Sequence, residues 1–378
     1  MTCDEHVAIL VAFSGDGGVE SMVVNLVTAL LAQGVAVDVV LIKARGGHVQ
    51  RLPAGARVQR LNARTTFTAL PSLVRYLRMR RPRALLAVKD RAARGAIVAR
   101  ALARVPCRVV IRLGMHLSGS LAGKTWLRRW SRWLPARWFY PHADRIITVT
   151  DDIADDLVEN ARLPRELFTT VPNPVITQDF DERMAMPVAH RWLNDPAESV
   201  ILAVGRLRPQ KDFVTLLHAF AELVRDRSVR LIILGEGPDR ALLASLSESL
   251  GVGDHVDLAG FVDDPLPWMA RADAFVLSSV YEGSPNVLVE AMACGTPVAA
   301  TDCPSGPRAI LQQGALGPLA PVGDVGALKR AMLLVLTEPV AGDLLRHGVR
   351  HFSADASARS YRGILNHEET QTRGGCLR

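Results

Sequence analysis

The sequence has few of the features that mark secreted, zinc-binding or membrane-spanning proteins. Its cysteines are odd in number and show no CxxC spacing; they are Cys3, Cys107, Cys294, Cys303 and Cys376. Such scattered thiols argue against a disulfide framework and against a zinc site. No apolar run approaches the roughly 18 residues that span a bilayer, and the first residues are acidic rather than basic as in a secretory signal. We therefore expect a protein that is made and kept in the cytosol.

Acidic residues are scarce in the first half of the chain. Residues 1–150 contain 24 of the 45 Lys and Arg but 7 of the 38 Asp and Glu, and Asp90 is the sole acidic residue between Val39 and Ala143. A basic half indicates an anionic partner such as nucleic acid, phospholipid or a phosphorylated substrate. An arginine-rich composition inherited from a GC-rich genome is the alternative.

Metal ligands are also sparse. The Asp-x-Asp pair of the chain, Asp179 and Asp181, follows an Asn-Pro-Val segment where nothing predicts a phosphate site. We therefore expect neither a metal nor a resident cofactor, so that a leaving phosphate would need Arg, Lys and backbone donors.

Alternating strands and helices fill the first half of the chain. Continuous apolar runs predict strands buried on both faces; these are Val7–Phe13, Val37–Ile42, Ala84–Val88, Cys107–Ile111 and Arg145–Val149. Amphipathic stretches predict helices at Val19–Gln33, Thr68–Met79, Arg91–Ala103 and Asp151–Ala161. This alternation is typical of an open parallel sheet.

A second alternation follows the proline-rich stretch Val171–Pro196. Strands are predicted at Val200–Val204, Arg230–Leu234, Val256–Leu258, Ala274–Leu277 and Pro297–Ala300, and helices at Phe213–Arg225, Asp239–Leu250 and Pro285–Cys294. The predicted fold class is α/β, with two Rossmann-like domains whose parallel sheets face an interdomain cleft. The predicted boundaries are 1–172 for the first domain, 173–198 for a linker, 199–345 for the second domain and 346–378 for a segment that returns to the first domain as a helix.

The stretch 278–298, SSVYEGSPNVLVEAMACGTPV, combines a helix start with two glutamates. Ser284 is a suitable N-cap and Pro285 a suitable first helical residue, so that free backbone N–H groups would bind an anion or a hydroxyl group there. Glu282 and Glu290 would repel phosphate and are better suited to accept hydrogen bonds from the hydroxyls of a sugar and of a ribose. A capping glutamate and a helix-face glutamate are the simpler interpretation of the spacing alone.

Two cations follow a predicted strand in VGRLRPQKDF, residues 204–213. Arg206 and Lys211 would neutralise a diphosphate at the strand end. Two solvated loop cations are equally compatible with this short pattern.

Two further loops of the first half follow predicted strands. SGDGGVE, residues 14–20, contains Gly17 and Gly18 and would let the backbone approach a phosphate, although it is neither a Walker loop nor GxGxxG. His116 follows strand Cys107–Ile111 and could donate to a sugar hydroxyl. Alone, each pattern is equally typical of an ordinary loop.

Taken together, three blocks resemble the family-4 retaining glycosyltransferases of the GT-B fold. They are VGRLRPQKDFVTLLHAFAEL, LIILGEGPDRALL and SSVYEGSPNVLVEAMACGTPVAATDCPSGP, and the last contains two glutamates separated by seven residues. The resemblance covers Ala203–Val322 well, and extends more weakly to GGVE and to the Asn-Pro-Val segment.

The resemblance implies that 1–172 is an acceptor-binding domain and 199–345 a nucleotide-sugar-binding domain, and it implies a role for each candidate residue. Glu290 would bind the nucleotide ribose, Glu282 the donor sugar, and His116 the same sugar from the N-terminal domain. Arg206 and Lys211 would hold the diphosphate with the backbone of Gly17 and Gly18. The remaining implied donor contacts are Phe261 and Val262 at the base and Gly283, Ser284, Pro285 and Asn286 around the sugar and phosphate.

Two positions depart from the family pattern. Ala309 in PSGPRAIL stands where relatives usually have Glu, and Asp264 in FVDDPLPWM stands where Asn is common. The first change removes a possible donor contact, and the second alters the segment next to the base.

The resemblance implies metal-independent transfer, with retention, of a hexose or N-acetylhexosamine from a UDP-sugar to a glycan or lipid-linked acceptor in bacterial surface-polysaccharide assembly.

Residues 124–140, KTWLRRWSRWLPARWFY, mix four tryptophans with basic residues. This composition suits peripheral binding to the inner face of the plasma membrane, and a helix whose tryptophans pack inward is the alternative. We expect no nucleic-acid partner, because RNA-type aromatic motifs are missing. The alternative functions are a catalytically idle membrane-docking protein and a GT-B epimerase or phosphorylase.

Overall fold

The computed structural model describes residues 6–14, 18–45, 47–121, 123, 125–195 and 199–367. The chain forms two compact units. The first combines residues 1–174 with 353–378, and the second comprises residues 175–352.

The first unit is built on a parallel sheet of seven strands, in the order β3-β2-β1-β4-β5-β6-β7. The strands are β1 His6–Ser14, β2 Ala36–Arg45, β3 Arg57–Arg60, β4 Ala84–Val88, β5 Arg108–Leu113, β6 Arg145–Thr148 and β7 Phe168–Thr170. The helices of the first half are α1 Gly18–Ala32, α2 Thr66–Arg80, α3 Asp90–Ala103, α4 Leu117–Ser120, α5 Trp126–Phe139 and α6 Asp151–Ala161.

The second unit contains a parallel sheet of six strands, in the order β10-β9-β8-β11-β12-β13. The strands are β8 Ser199–Val204, β9 Val229–Leu234, β10 Val256–Gly260, β11 Ala274–Leu277, β12 Val298–Thr301 and β13 Leu319–Ala320. The remaining helices are α7 Phe180–Met184, α8 Phe213–Val224, α9 Arg240–Ser249, α10 Leu266–Met269, α11 Asn286–Cys294, α12 Pro307–Ile310, α13 Val325–Thr337, α14 Gly342–Val349 and α15 Ala354–Asn366.

The predicted α/β class with two Rossmann-like domains is confirmed. Every predicted strand is present to within three residues at each end, because these runs are apolar enough to be covered on both faces of a sheet. Alternate residues of β1 enter opposite core layers: Ala8 and Leu10 pack on one side, and Val7 and Ile9 on the other. The short strands β3, β7 and β13, which have no long apolar run, were not predicted.

From Val175 onwards, the proline-rich stretch predicted as a linker packs as part of the second unit. Val175, Phe180 and Trp192 are buried in the same core cluster as the strands β8 and β11. At the other end of that unit the chain returns to the first, where α15 packs beside α1 and buries Tyr361 completely.

Both sheets contain a point at which successive connections leave in opposite directions. In the first unit it lies between β1 and β4, and in the second between β8 and β11, which are neighbouring strands in each sheet. Open parallel sheets bind ligands in the crevice outside the carboxyl ends of the strands at such a switch point. Among the described helices, none has both the length and the apolar character required to cross a bilayer.

Candidate functional site

The loops after β8 and β11 are joined by an ion pair. Lys211 Nζ lies 2.6 Å from Glu282 Oε1, and the Ser279 hydroxyl donates to the same oxygen at 2.7 Å. Both charged side chains are largely buried. The two residues predicted to bind different parts of a donor are therefore ion-pair partners of each other.

Hydrogen bonds fix the loop that contains Glu282. The Ser278 hydroxyl donates to the Lys211 carbonyl at 2.7 Å, and the Thr301 hydroxyl donates to the Ser279 carbonyl at 2.6 Å. Ser305, likewise buried, donates to the Gly283 carbonyl at 2.8 Å. The glutamate is thus presented by a backbone that has little freedom to move.

Close packing explains one glycine beside the pair. A Cβ on Gly205 would lie 2.8 Å from the Lys211 Cε atom. The lysine side chain therefore runs directly along the backbone that leaves β8, and any larger residue at position 205 would displace it.

The predicted start of helix α11 is wrong by about one residue. The N-cap is Pro285 rather than Ser284, and the helix begins at Asn286. Pro285 adopts an extended backbone (φ −72°, ψ 97°), which a cap residue tolerates and a helical one does not. The Ser284 hydroxyl is consequently not a cap; its oxygen is buried and has no hydrogen-bond partner among the described residues. Gly295 ends the helix with φ 83°, as predicted.

Arg206 and Phe261 are exposed. Arg206 has no ion-pair partner within the part of the chain that the structure describes, and Phe261 is 56% exposed although it follows a strand. Val262, the next residue, packs against the core. An unpaired guanidinium and an exposed aromatic ring at strand ends are features of a surface that a ligand covers.

Glu290 lies on helix α11 within a charged cluster that was not predicted. Arg183 of α7 donates to both oxygens of Asp264, at 2.7 and 3.0 Å. Burial raises the pKa of Glu290 to about 7; the positive charge of Arg183 acts against this shift and the negative charge of Asp264 adds to it. The replacement of the usual Asn by Asp264 is thus accompanied by a bidentate arginine, which an amide could not pair with in this way. Ala309 is exposed and makes no comparable contact.

In the first unit, the switch point also contains a lysine–glutamate pair. Lys89 Nζ lies 2.9 Å from Glu20 Oε1, and Glu20 is only 3% exposed. Glu20 begins α1 together with the exposed Gly18, whereas the predicted contact Gly17 lies outside the described residues. Neither Glu20 nor Lys89 is among the site residues predicted from the sequence.

His116 caps the short helix α4, and its environment fixes its hydrogen-bonding role. The backbone N–H of Gly119 donates to His116 Nδ1 at 3.0 Å. The nearby carboxylate of Asp156 already accepts the N–H groups of Leu117 and Ser118 at 3.0 Å each. A ring nitrogen that accepts cannot carry a proton, so the neutral imidazole has its N–H at Nε2 and presents a donor.

The structure brings together some of the predicted residues. Arg206, Lys211 and Glu282 lie at the switch point of the second unit. Glu290 is grouped with Arg183 and Asp264, a contact that no periodicity could have revealed because Arg183 lies in the stretch predicted as a linker. Gly18 and His116 belong to the first unit, at the ends of β1 and β5.

Comparison with known proteins connects this geometry to a family. Residues 198–338 match the model described as "Glycosyl transferases group 1". Residues 17–174 match the model described as "Glycosyl transferase 4-like domain".

Individual relatives include enzymes of bacterial glycan assembly. The lipopolysaccharide core biosynthesis glycosyltransferase LpsE of Rhizobium meliloti is 28% identical over 93% of this chain and 97% of its own length. An N-acetylgalactosaminyltransferase of Campylobacter jejuni that acts on a diphospho-undecaprenol substrate is 30% identical, over 53% of this chain and about half (52%) of its own.

Solved structures share the fold. The outer core galactosyltransferase WaaB superimposes with a TM-score of 0.72 at 20% identity, covering 96% of this chain and 99% of WaaB. Anabaena HepE in complex with UDP superimposes with a TM-score of 0.75 at 20% identity, covering 96% and 99%.

Proposed function

The chain belongs to the family-4, or group 1, glycosyltransferases of the GT-B fold, and we propose that it transfers a hexose or N-acetylhexosamine from a UDP-sugar with retention of configuration. The acceptor in this proposal is a glycan or lipid-linked glycan of bacterial surface-polysaccharide assembly. Relatives named for lipopolysaccharide core biosynthesis and for a diphospho-undecaprenol substrate support that choice.

The observation that carries the proposal is the arrangement at the β8–β11 switch point. Arg206 supplies a guanidinium with no ion-pair partner among the described residues, and Lys211 supplies an ammonium with protons beyond the one directed at Glu282. Two cations at this crevice suit a diphosphate. The buried Ser284 hydroxyl, which lacks a partner among the described residues, suits a further hydrogen bond from the same ligand.

Each predicted residue keeps its proposed role. Lys211 and Arg206 stabilise the leaving diphosphate without a metal ion or cofactor. Glu282, fixed by Ser279 and Lys211, accepts hydrogen bonds from the donor sugar, and Glu290 accepts those of the ribose. His116 donates from Nε2 to a hydroxyl of the donor sugar, because Nδ1 is occupied.

We also propose that the protein binds the inner face of the plasma membrane through α5. The side chains of Trp126, Trp130 and Trp138 are 73%, 56% and 72% exposed. Tryptophan beside basic residues such as Arg132 is typical of segments that lie in the interface of anionic lipid.

A donor screen tests the enzymatic proposal. Purified protein would be incubated with UDP-, GDP- and ADP-sugars, with and without lipid extract, and the products identified by mass spectrometry and by the anomeric NMR signal. Transfer from a UDP-sugar with retained configuration is expected. Conversion of the donor without an acceptor would favour an epimerase, phosphate-dependent turnover a phosphorylase, and no turnover of any donor an idle binding protein.

A further inference from the structure

The two switch points of the molecule contain the same kind of ion pair. In the second unit, Lys211 after β8 contacts Glu282 after β11. In the first, Glu20 after β1 contacts Lys89 after β4. Since β1 and β4 are the first and fourth strands of their sheet, as β8 and β11 are of theirs, the pairs occupy equivalent topological positions with the two charges exchanged.

Lys89 adopts a backbone conformation that is almost confined to glycine. Its φ of 76° and ψ of 153° place it in a region that side chains with a Cβ strongly disfavour. Such strain persists only where the surroundings enforce it, and it concentrates at functional sites. The ammonium group that this conformation directs to Glu20 remains accessible, because the Lys89 side chain is 40% exposed.

Lys89 lies between two loops that already contain candidate residues. The sheet order places β4 between β1, which precedes Gly18, and β5, which precedes His116. The Lys89 backbone N–H donates to the Arg112 carbonyl at the end of β5, at 3.2 Å. The ammonium is thus in the central one of three adjacent strand-end loops.

One carboxylate compensates the Lys89 ammonium: Glu20, at 2.9 Å. The neighbouring Asp90 accepts from Tyr140 and Arg94 at 2.9 and 2.7 Å and lies 3.9 Å from Arg132. An ammonium that is already paired with a carboxylate offers less net attraction to phosphate than an unpaired lysine does. The Lys89–Glu20 pair does offer ammonium protons beside a carboxylate. A sugar hydroxyl can accept a hydrogen bond from the ammonium and donate one to the carboxylate.

We propose that Lys89, positioned by the buried Glu20, binds hydroxyl groups of a neutral sugar residue of the acceptor. The inference rests on the proposed transferase function and specifies its acceptor half. Lys89 is the binding residue, and Glu20 is a positioning residue that acts through it.

Binding of simple glycosides tests the proposal without knowledge of the natural acceptor. Methyl glycosides of common hexoses and N-acetylhexosamines, and the matching sugar 1-phosphates, would be titrated by NMR into protein saturated with UDP. At least one neutral glycoside is expected to bind the wild type better than its 1-phosphate. Lys89→Gln should weaken that binding on the order of tenfold, the loss expected of one charge-assisted hydrogen bond. Lys43→Gln, at an exposed lysine of the same unit, is the matched control and should change nothing.

Two further variants separate binding from folding. Lys89→Gly fits the backbone, so it should melt at a higher temperature than Lys89→Gln and yet bind the glycoside as poorly. Glu20→Gln should weaken glycoside binding while Lys89→Arg retains part of it. UDP affinity should remain within about twofold in the Lys89 variants, because the side chains proposed to bind UDP belong to the other unit.

Three results would overturn the inference: no glycoside bound by the wild type, a preference for the 1-phosphates, or unchanged binding in Lys89→Gln and Lys89→Gly. Each of these leaves the donor assignment standing if UDP still binds. A wild type that does not bind UDP would instead refute the proposed function itself.

Discussion

Three glutamates, two at the switch points and one on α11, have different electrostatic environments. Glu282 is paired with Lys211 and Glu20 with Lys89. Glu290 has no equally close cation among the described residues; the nearby Arg183 directs its guanidinium to both oxygens of Asp264. Burial raises the pKa of Glu290, and the positive charge of Arg183 offsets only part of that shift.

We predict that Glu290→Gln changes the pH dependence of stability. Burial raises the pKa of Glu290 from 4.5 to about 7, so the folded state retains a proton that the unfolded chain loses. The resulting stabilisation is complete below pH ~4.5 and is lost as the pH rises through ~7. The variant should therefore be more stable than the wild type at pH 8, by about 3 kcal/mol at most, and similar to it at pH 4.5.

Urea unfolding at pH 4.5, 6 and 8 measures this difference. Glu248→Gln, at an exposed glutamate on α9, is the control and should show no such trend. A constant difference between wild type and Glu290→Gln across the series would contradict an elevated pKa.

Lys211→Met and Glu282→Gln should be strongly coupled. Removing one member leaves the other buried without its partner, and we expect Lys211→Met to lower the free energy of unfolding by about 2 kcal/mol, less than for a fully buried pair because both groups retain some solvent contact. The double variant should lose less than the two single effects together. A double-mutant cycle in urea measures the coupling.

The more exposed pair Lys329–Asp226, with Nζ 2.6 Å from Oδ2 and side chains 25% and 55% exposed, is the control for that cycle. Its coupling should be below about 1 kcal/mol. Equal coupling in both pairs would mean that Lys211 and Glu282 are no more than a surface ion pair.

At the scale of elements, α5 divides its tryptophans between two environments. Trp133 packs against the core of the first unit, whereas Trp126, Trp130 and Trp138 are exposed. Neither initial interpretation of this segment was complete, because one tryptophan packs inward and three face solvent.

We predict that Trp126→Ala combined with Trp130→Ala reduces sedimentation with anionic vesicles and leaves the melting temperature almost unchanged. Binding of the wild type should fall as salt rises, since polybasic attraction of about 1 kcal/mol per charge is screened. Trp133→Ala is the contrasting variant and should lower the melting temperature instead. A wild type that does not sediment with phosphatidylserine vesicles at low salt would refute the membrane proposal but not the transferase assignment.

At the scale of the whole molecule, the end of the chain completes the core of its first half. Tyr361 of α15 is fully buried in the cluster that contains β1 and α1. Tyr361→Ala should therefore lower the free energy of unfolding of the first unit by about 3–5 kcal/mol, as large-to-small core substitutions do. Arg359→Ala, at an exposed position of the same helix, is the control and should have little effect in thermal unfolding. Equal melting temperatures for both variants would show that α15 contributes little to this unit.

The proposed metal-independent transfer makes a further prediction for the complete enzyme. Turnover of the donor found in the screen should be nearly the same with and without excess EDTA. Arg206→Ala should reduce it on the order of 10²-fold, the scale of losing one preorganised charge stabiliser. Activity that required added Mn²⁺ or Mg²⁺ would show that protein cations alone do not stabilise the leaving diphosphate.

Much of this molecule follows directly from local sequence. Buried parallel strands are nearly continuous apolar runs, so β1, β4, β8 and β11 could be located without a structure, and a glycine stop such as Gly295 marks a helix end. The strand-end loops that contain Arg206, Lys211, Glu282 and His116 could be recognised because loop residues there interrupt an apolar pattern. The sequence therefore determined the fold class and most of the candidate positions.

Only the tertiary structure decided which charges meet. Lys211 and Glu282 are 71 residues apart, and Lys89 and Glu20 are 69 apart; each pair forms because two non-consecutive strands are neighbours in a sheet. Arg183 reaches Asp264 across 81 residues because the helices α7 and α10 pack against each other. Hydrophobic periodicity specifies a strand and its faces but not its neighbour, so the pairing of distant charges is fixed only when the sheets assemble.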